Sequence, residues 1–235
     1  IKTQDTGHMT QDYLLAKAKD KLKDQSYFLY RLGQSQLRRI LFPLGDYTKE
    51  EVRGFARKFG LAVANKPGSQ EICFLPEDDY RAFLKKREKQ NIKPGLILDQ
   101  RGNILGRHQG IAYYTIGQRA GLGIALGYPA YITKIDPRAN RIFLGGKDGV
   151  LAREFLLKNL HFICKDFKKK VAAGIKIRYN HQEAKAKILA FKNKTKVIFQ
   201  EPQFAITPGQ SAVFYEKEVV LGGGIIERVL REKEP

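Results

Sequence analysis

Between residues 10 and 90 the apolar positions recur mostly at helical spacing. In YTKEEVRGFARKFGL, Val52, Phe55, Ala56 and Phe59 fall at i, i+3, i+4 and i+7, which predicts one apolar helix face. Thr48 precedes that face and Glu51 follows it by three residues, the spacing of a capping box. Gly60 can take the left-handed conformation that stops the helix. Phe28, Leu29 and Leu32, then Leu37 and Ile40, predict shorter helices before it, and PEDDYRAFLKKREK predicts one after it. Cys73 falls on the connection between two of these helices.

Beyond about residue 93 the pattern becomes one of short apolar runs punctuated by Gly, Pro and Asn. PGLILDQRGNILGRH reads as a hairpin that turns at Arg101, Gly102 and Asn103, and AYYTIG, AYITKI and NRIFLGG read as strands. From Leu151 onward, VAAGIKIRY, AKAKILAF, TKVIFQ, SAVFYEKE and VVLGGGII form a second series with turn signals between them, the pattern of a small closed barrel. The expected fold class is α+β: a helical segment over residues 1–92, a central β-rich, barrel-like domain over 93–150 and a C-terminal β-barrel over 151–235. No internal repeat or low-complexity tract is visible. The opening IKTQDTGHM, with Met9 the only methionine, reads as the end of a strand and its following loop, so the chain is expected to begin inside a larger protein.

Composition adds that the chain can bury real cores, with 43% hydrophobic residues, 14 Phe and 11 Tyr. Cys73 and Cys164 are too few for a disulfide framework, and His8, His108, His161 and His181 lack finger-like spacing, so no structural metal is expected. No apolar run reaches the roughly 18 residues that span a bilayer, and no signal peptide is visible. A cytoplasmic setting follows, where thiols stay reduced.

Charge changes the picture most. Forty-three Lys plus Arg against 24 Asp plus Glu give a net charge of +19, a field that attracts polyanions. Nucleic acid is the leading partner, ahead of an acidic membrane surface. A Lys-rich thermophile surface is the competing account, but there Glu normally rises with Lys. Residues 165–196 hold eleven Lys or Arg and two acids, Asp166 and Glu183, interleaved with Tyr179, His181 and Phe191. Cations grip phosphates while flat groups stack on bases, and Arg178–Tyr179 offers both devices side by side. A solvated charged face is the alternative for any single lysine in the series.

Other motifs are less specific. GQRAGLGI and LGGGII lack the lysine and the strand-to-helix setting of a phosphate loop, so turns and bulges account for them better. KDKLKDQSYFLYRL places lysines next to an amide and two aromatics ahead of a helix. Cys73, with apolar neighbours in SQEICFL, reads from local context as a packed core residue, since reactive thiols need an electropositive, partly open setting.

TGH (6–8), KDQSYFLYRL (23–32), FPLGDYTKEEVR (42–53), SQEICF (69–74), GRHQGIAYYTIGQRAGLGI (106–124) and TPGQSAVFY with LGGGII (207–226) together resemble the tRNA-specific 2-thiouridylases, in that family's order and over nearly the whole chain. The resemblance implies ATP-dependent replacement of the C2 oxygen of the wobble uridine by sulfur. It implies that Cys73 is the catalytic, persulfide-bearing residue, supplied by a sulfur-relay protein or cysteine desulfurase. Gly7 is then expected to approach ATP, with Mg2+ implied, and His8, Lys23, Asp24, Gln25, Arg178, Tyr179 and Gln210 to contact tRNA. Two cysteines are too few for the three-cysteine iron–sulfur ligation of other tRNA-thiolating enzymes.

Departures from the family pattern accompany the likeness. Gly68 stands where an acid is common and Met9 where Tyr is usual. The family's N-terminal α/β Rossmann-like domain, with its Ser-Gly-Gly loop and second, persulfide-resolving cysteine, is expected to have no counterpart, making this chain the C-terminal two thirds of the enzyme. Residues 1–92 are then the end of the nucleotide-binding domain plus the helical tRNA-binding segment that carries Cys73. Cys164 does not match that cysteine and is expected to be structural. Two rival functions remain: a noncatalytic basic RNA-binding module, and a thiol peroxidase or redox sensor built on Cys73.

Overall fold

The computed structural model describes residues 2–4, 12–66, 80–87, 92–166, 172–191 and 194–231. The chain divides into two compact units: Ile1–Lys66 with Arg153–Pro202 and Pro208–Pro235, and Pro67–Ala152 with Gln203–Thr207. Among the described residues no helix is long and apolar enough to cross a membrane.

The chain opens with two short antiparallel strands, β1 (Lys2–Gln4) and β2 (Asp12–Leu14). Helices α1 (Ser26–Leu29) and α2 (Gln34–Leu37) follow, each of one turn, and then α3 (Lys49–Lys58). The capping box of α3 forms as its spacing predicts: the Glu51 N–H donates to Thr48 Oγ1 at 3.2 Å and the Thr48 N–H to Glu51 Oε2 at 2.6 Å. Gly60 takes φ +63° past its end. Helix α4 spans Tyr80–Arg87.

Residues 12–24 are extended or in turns, not helical as the spacing around them suggested. Their backbone groups find partners on the barrel: the Lys17 N–H donates to Glu218 O at 2.8 Å, and the Val220 N–H to Leu15 O at 2.9 Å. Bonds made to another element replace those a helix would have made within itself.

In the second unit, β3 (Gly95–Leu98) and β4 (Ile104–His108) form the expected hairpin, with Gly102 at φ +90° in its turn. With β5 (Tyr131–Asp136) and β6 (Arg141–Gly145) they make a four-stranded mixed sheet of order β4-β3-β6-β5, in which β3 and β6 run parallel. Its core is Ile97, Ile132, Ile142 and Leu144. AYYTIG is not a strand. Ile111–Tyr113 is a 3-10 turn, Tyr114 and Ile116 pack on the sheet's core through their side chains, and the Gly117 N–H donates to Ile132 O at 2.8 Å.

His108 is 1% exposed and anchors that sheet's end. The Gly110 N–H donates to its Nδ1 at 3.1 Å, which leaves Nε2 to carry the proton and donate to Asn140 O at 3.2 Å. A second proton would put a donor against the Gly110 N–H. Burial accordingly holds its pKa below the usual histidine value, partly offset by the bond to Asn140.

The first unit is built on a closed six-stranded barrel of order β10-β7-β12-β11-β8-β9. Its strands are β7 (Leu151–Phe162), β8 (Ala172–Lys176), β9 (Ala184–Phe191), β10 (Lys194–Phe204), β11 (Ser211–Glu216) and β12 (Val219–Leu230). β10 alternates as expected of a half-buried strand, with Thr195, Val197 and Phe199 buried. β7 was not expected. Its pairing with β12 shifts register twice and Asn159 sits at φ +52°, so its apolar residues do not keep the period that marks a strand.

β11 carries four buried residues in a row, Ala212, Val213, Phe214 and Tyr215, because both of its faces are covered. Val213 and Tyr215 pack with Leu14, Leu15, Tyr27, Tyr30 and Leu37 from the N-terminal segment, and with Ile163 and Cys164. Gln34 pins that segment: its side-chain amide donates to Tyr13 O at 3.0 Å and Ile163 O at 2.9 Å and accepts from the Tyr13 N–H at 2.7 Å. Asp24, 8% exposed, does the same deeper in. Oδ1 accepts from the Ala18 and Ser26 N–H groups at 3.0 and 3.1 Å, and Oδ2 from the Ser26 hydroxyl at 2.7 Å. The Ser26 hydroxyl also lies 3.4 Å from the Tyr215 hydroxyl.

Three outcomes follow from this packing. Gly222, at φ +144°, lies against the backbone of His161 and Phe162, so Gly222→Ala is expected to destabilise the barrel by about 3 kcal/mol. A lowered midpoint with an unchanged m value in denaturant unfolding is the check. Asp24→Ala strands three buried donors and is expected to cost about 2–3 kcal/mol by the same measurement, whereas Gln25→Ala costs well under 1. For His108 the unfolded chain takes up a proton near pH 6.5 while the folded chain resists it. Stability is therefore full above that pH and falls as pH drops below it. A melting-temperature series is expected to show the fall, shallower in His108→Gln.

Candidate nucleic-acid interface

Gln25, Arg178, Tyr179 and Gln210, far apart in sequence, converge on the N-terminal segment and the barrel strand it covers. The Gln25 side-chain amide donates to the Tyr179 hydroxyl at 3.0 Å across 154 positions of sequence. Arg178 and Tyr179 follow β8, which pairs with β11, and β11 begins next to Gln210. Tyr27 ties the two together, donating its hydroxyl to Ser211 O at 2.9 Å, and the Tyr30 hydroxyl lies 3.2 Å from Ser211 Oγ.

The rings form a layered group. Phe28 stacks on Tyr179 with centroids 5.0 Å apart and planes at 27°, while Tyr27 meets both of them edge-on. Burial pushes the Tyr27 hydroxyl up to about 12, helped by neighbouring Tyr30 and opposed by Arg178. Burial in turn lowers the Arg178 pKa from its ordinary value, and Tyr27 works against that. Arg178 thus sits partly desolvated near Tyr27, a setting in which a guanidinium holds an anion more strongly than at an open surface. The side-chain amide of Gln210 keeps a buried polar atom without a hydrogen-bond partner among the described residues.

The remaining expected residues divide. Lys23 lines a groove of ≈ 1130 Å³ together with Lys19, Asp46, Phe42 and Glu218, a lining of mixed charge. Asp24 turns inward, its carboxylate occupied by the segment's own donors as described above, and so shapes the stretch that presents Lys23 and Gln25. Gly7, His8 and Cys73 lie outside the described residues, as does the SQEICF stretch.

Part of the basic series is paired. Lys196 meets Glu154 at 2.7 Å, Lys194 meets Glu227 at 3.7 Å, and Lys17 bridges to Glu183 at 2.5 Å. Cys164 is 4% exposed, and burial with Asp12 nearby pushes its thiol up to about 12, the setting of a packed, unreactive cysteine. Among the described residues no three potential metal ligands cluster.

Phe28 was expected in a helix as part of an apolar face, yet it is 60% exposed. Its neighbour Tyr179 comes from the far end of the chain, so sequence spacing carries no sign of the stack. Nor does any local signal mark Tyr215 as the partner of Ser26.

Three family models match in succession: the tRNA methyl transferase HUP domain over residues 2–77, the tRNA methyl transferase PRC-barrel domain over 81–146, and the aminomethyltransferase beta-barrel domain over 152–226. The chain is 51% identical over 221 residues to the tRNA-specific 2-thiouridylase MnmA 1 of Caldanaerobacter subterraneus subsp. tengcongensis, covering 93% of this chain and 61% of that protein. It is 49% identical over 220 residues to the tRNA-specific 2-thiouridylase MnmA of Carboxydothermus hydrogenoformans, covering 93% and 60%. It is 48% identical over 232 residues to that of Acetivibrio thermocellus, covering 94% and 65%. The chain spans about three fifths of the length of these curated relatives.

The HUP match corrects one expectation. The family's N-terminal HUP domain does have a counterpart here, over residues 2–77. The expectation of its absence rested on the missing Ser-Gly-Gly loop and second cysteine, whereas the family model matches the segment from residue 2 to residue 77. Three successive family models and relatives at about half identity thus make the chain similar, along most of its length, to part of the tRNA-specific 2-thiouridylases.

Proposed function

We propose that this chain acts in ATP-dependent transfer of sulfur to C2 of the wobble uridine of tRNA, supplying both the tRNA grip and the sulfur-bearing cysteine. The observation that carries the reading is the convergence of Gln25, Arg178, Tyr179 and Gln210. These are residues the family resemblance assigns to tRNA, and they meet in one place with a buried amide atom still to be satisfied. The names of the relatives, tRNA-specific 2-thiouridylases, supply the substrate class.

In this reading Arg178 and Lys23 hold phosphates, Tyr179 and Gln25 contact bases or sugars, and His8 contributes from outside the described residues. Cys73 carries a persulfide received from a sulfur-relay protein or cysteine desulfurase; its terminal sulfur, a strong nucleophile near neutral pH, attacks C2 and expels AMP. A second, persulfide-resolving thiol, in the part of the relatives that this chain does not match, then takes the Cys73 sulfur into a disulfide and leaves the terminal sulfur on C2. ATP, with Mg2+, supplies the activation that makes the C2 oxygen a leaving group, and Gly7 is the residue assigned to it. The target base leaves the anticodon stack to reach the sulfur, at less cost in a single-stranded loop than in a duplex. The setting is cytoplasmic, with thiols reduced. The division into residues 1–92, 93–150 and 151–235 belongs to the same reading, supported by the start of β7 at Leu151.

The test is a hybrid in which this chain replaces the matched part of the Caldanaerobacter relative. With ATP, a tRNA transcript and a persulfide donor, it is expected to form 2-thiouridine, and Cys73→Ser is expected to abolish the product while tRNA affinity stays within about threefold. Binding of tRNA is expected to weaken steeply with salt. Full thiolation by Cys73→Ser would overturn the sulfur-carrying role. Tight tRNA binding with no product from the unmutated hybrid would favour the noncatalytic RNA-binding module.

A further inference from the structure

We infer that Phe28 is a base-stacking residue: with Tyr179 beneath it, it forms a two-ring platform whose outer face takes one unpaired base of an RNA loop. The inference rests on the reading that this chain binds RNA.

Phe28 lies on the single turn of α1, where Tyr27 and Tyr30 turn inward to Ser211 and the barrel while Phe28 points out. One face is occupied by Tyr179 at 5.0 Å and near-parallel orientation, and Tyr27 closes its edge at 5.4 Å and 83°. With one face and one edge covered and the residue still 60% exposed, the free area is largely the other face of the ring. A hydrophobic ring held open to water in this way costs solvation free energy that core packing does not recover.

The platform is also fixed in place. Tyr179 is held by the Gln25 amide, Gln25 directly precedes α1, and Asp24 locks the stretch before it through buried hydrogen bonds. A ring that is already immobile loses little entropy when a second flat group settles on it. The surroundings favour a nucleobase as that group. Arg178 stands next to Tyr179 and senses Tyr27, so a phosphate attached to the stacked base meets a guanidinium, and the chain as a whole carries +19. Stacking reads the flat face of any base, but duplex bases are already stacked. The platform therefore selects unpaired loops over helices.

The experiment uses the intact chain and two labelled RNAs: a hairpin with an unpaired loop of anticodon size, and a duplex of similar length. Phe28→Ala and Phe28→Leu are expected to weaken hairpin binding about tenfold or more and to leave duplex binding unchanged. Phe28→Tyr is expected to restore hairpin affinity. The slope of affinity against salt is expected to stay the same in Phe28→Leu, while Arg178→Ala lowers it by about one. The chain contains no tryptophan, so Phe28→Trp adds a single reporter whose emission is expected to be quenched by the hairpin and not by the duplex. Unchanged hairpin affinity in both Phe28→Ala and Phe28→Leu, with normal melting curves, overturns the inference while leaving RNA binding intact. Equal losses on hairpin and duplex overturn it as well. If the unmutated chain binds neither RNA, the RNA-binding reading fails first and takes the platform with it.

Discussion

The segment from Asp12 to Leu37 is held on the barrel by a short run of backbone hydrogen bonds at Leu15 and Lys17 and, over a larger area, by side-chain burial against β11. Tyr215 and Val213 are fully buried only because Leu14, Leu15, Tyr27, Tyr30 and Leu37 lie over them. The buried polar groups beneath this cover must then be satisfied internally, and Asp24 satisfies them through Ala18, Ser26 and, by way of Ser26, Tyr215. Burial raises the Tyr215 hydroxyl pKa above its ordinary value, which keeps that group a neutral hydrogen-bonding partner. Lys17 adds an outer clip, reaching Glu183 and the Lys217 carbonyl while lying 4.7 Å over the Tyr215 ring. The position of Lys23, Gln25 and Phe28 follows from these contacts.

Much of the architecture was legible because local physics decided it. The capping box of Thr48 and Glu51, the hairpin around Gly102 and the alternation of β10 each rest on neighbours within a few residues. What was not legible depends on partners far along the chain. The stretch around Leu15 to Lys19 is extended because the β11–β12 turn, the start of β12 and Gly45 supply its backbone hydrogen bonds, and no local pattern reports that. β7 is hidden by two register shifts. The apolar face of α3 was predicted correctly as a face, yet Phe55 and Phe59 remain exposed, since periodicity states which residues share a side and not what covers it.

The candidate site shows the same split. Arg178–Tyr179 could be singled out from a basic series by the pairing of a fork with a ring, and both stand where Gln25 and Tyr27 meet the barrel. Asp24 lies in the same motif as Lys23 and Gln25, but a carboxylate flanked by backbone donors is drawn inward, and it repels phosphate where a lysine or amide does not. Its value to the motif is geometric: it fixes the turn from which its neighbours project.

Charge alone would make a poor discriminator among RNAs. Lys194, Lys196 and Lys17 each meet a carboxylate, so part of the formal excess is spent within the protein, and what remains acts over a screened range of about 10 Å. Such a field draws in any polyanion, duplex or loop. In the proposed RNA-binding role, selection falls to flat side chains and amides, because these engage base faces and edges that a duplex has already paired and stacked. The two kinds of group occupy different places: lysines lie along strands of the barrel, whereas the Phe28–Tyr179 ring pair and Gln25 stand at the open edge of the packing between the N-terminal segment and the barrel. In the proposed role, loss of a lysine therefore weakens attraction to all RNAs alike, whereas a shift of the ring pair changes which RNA fits.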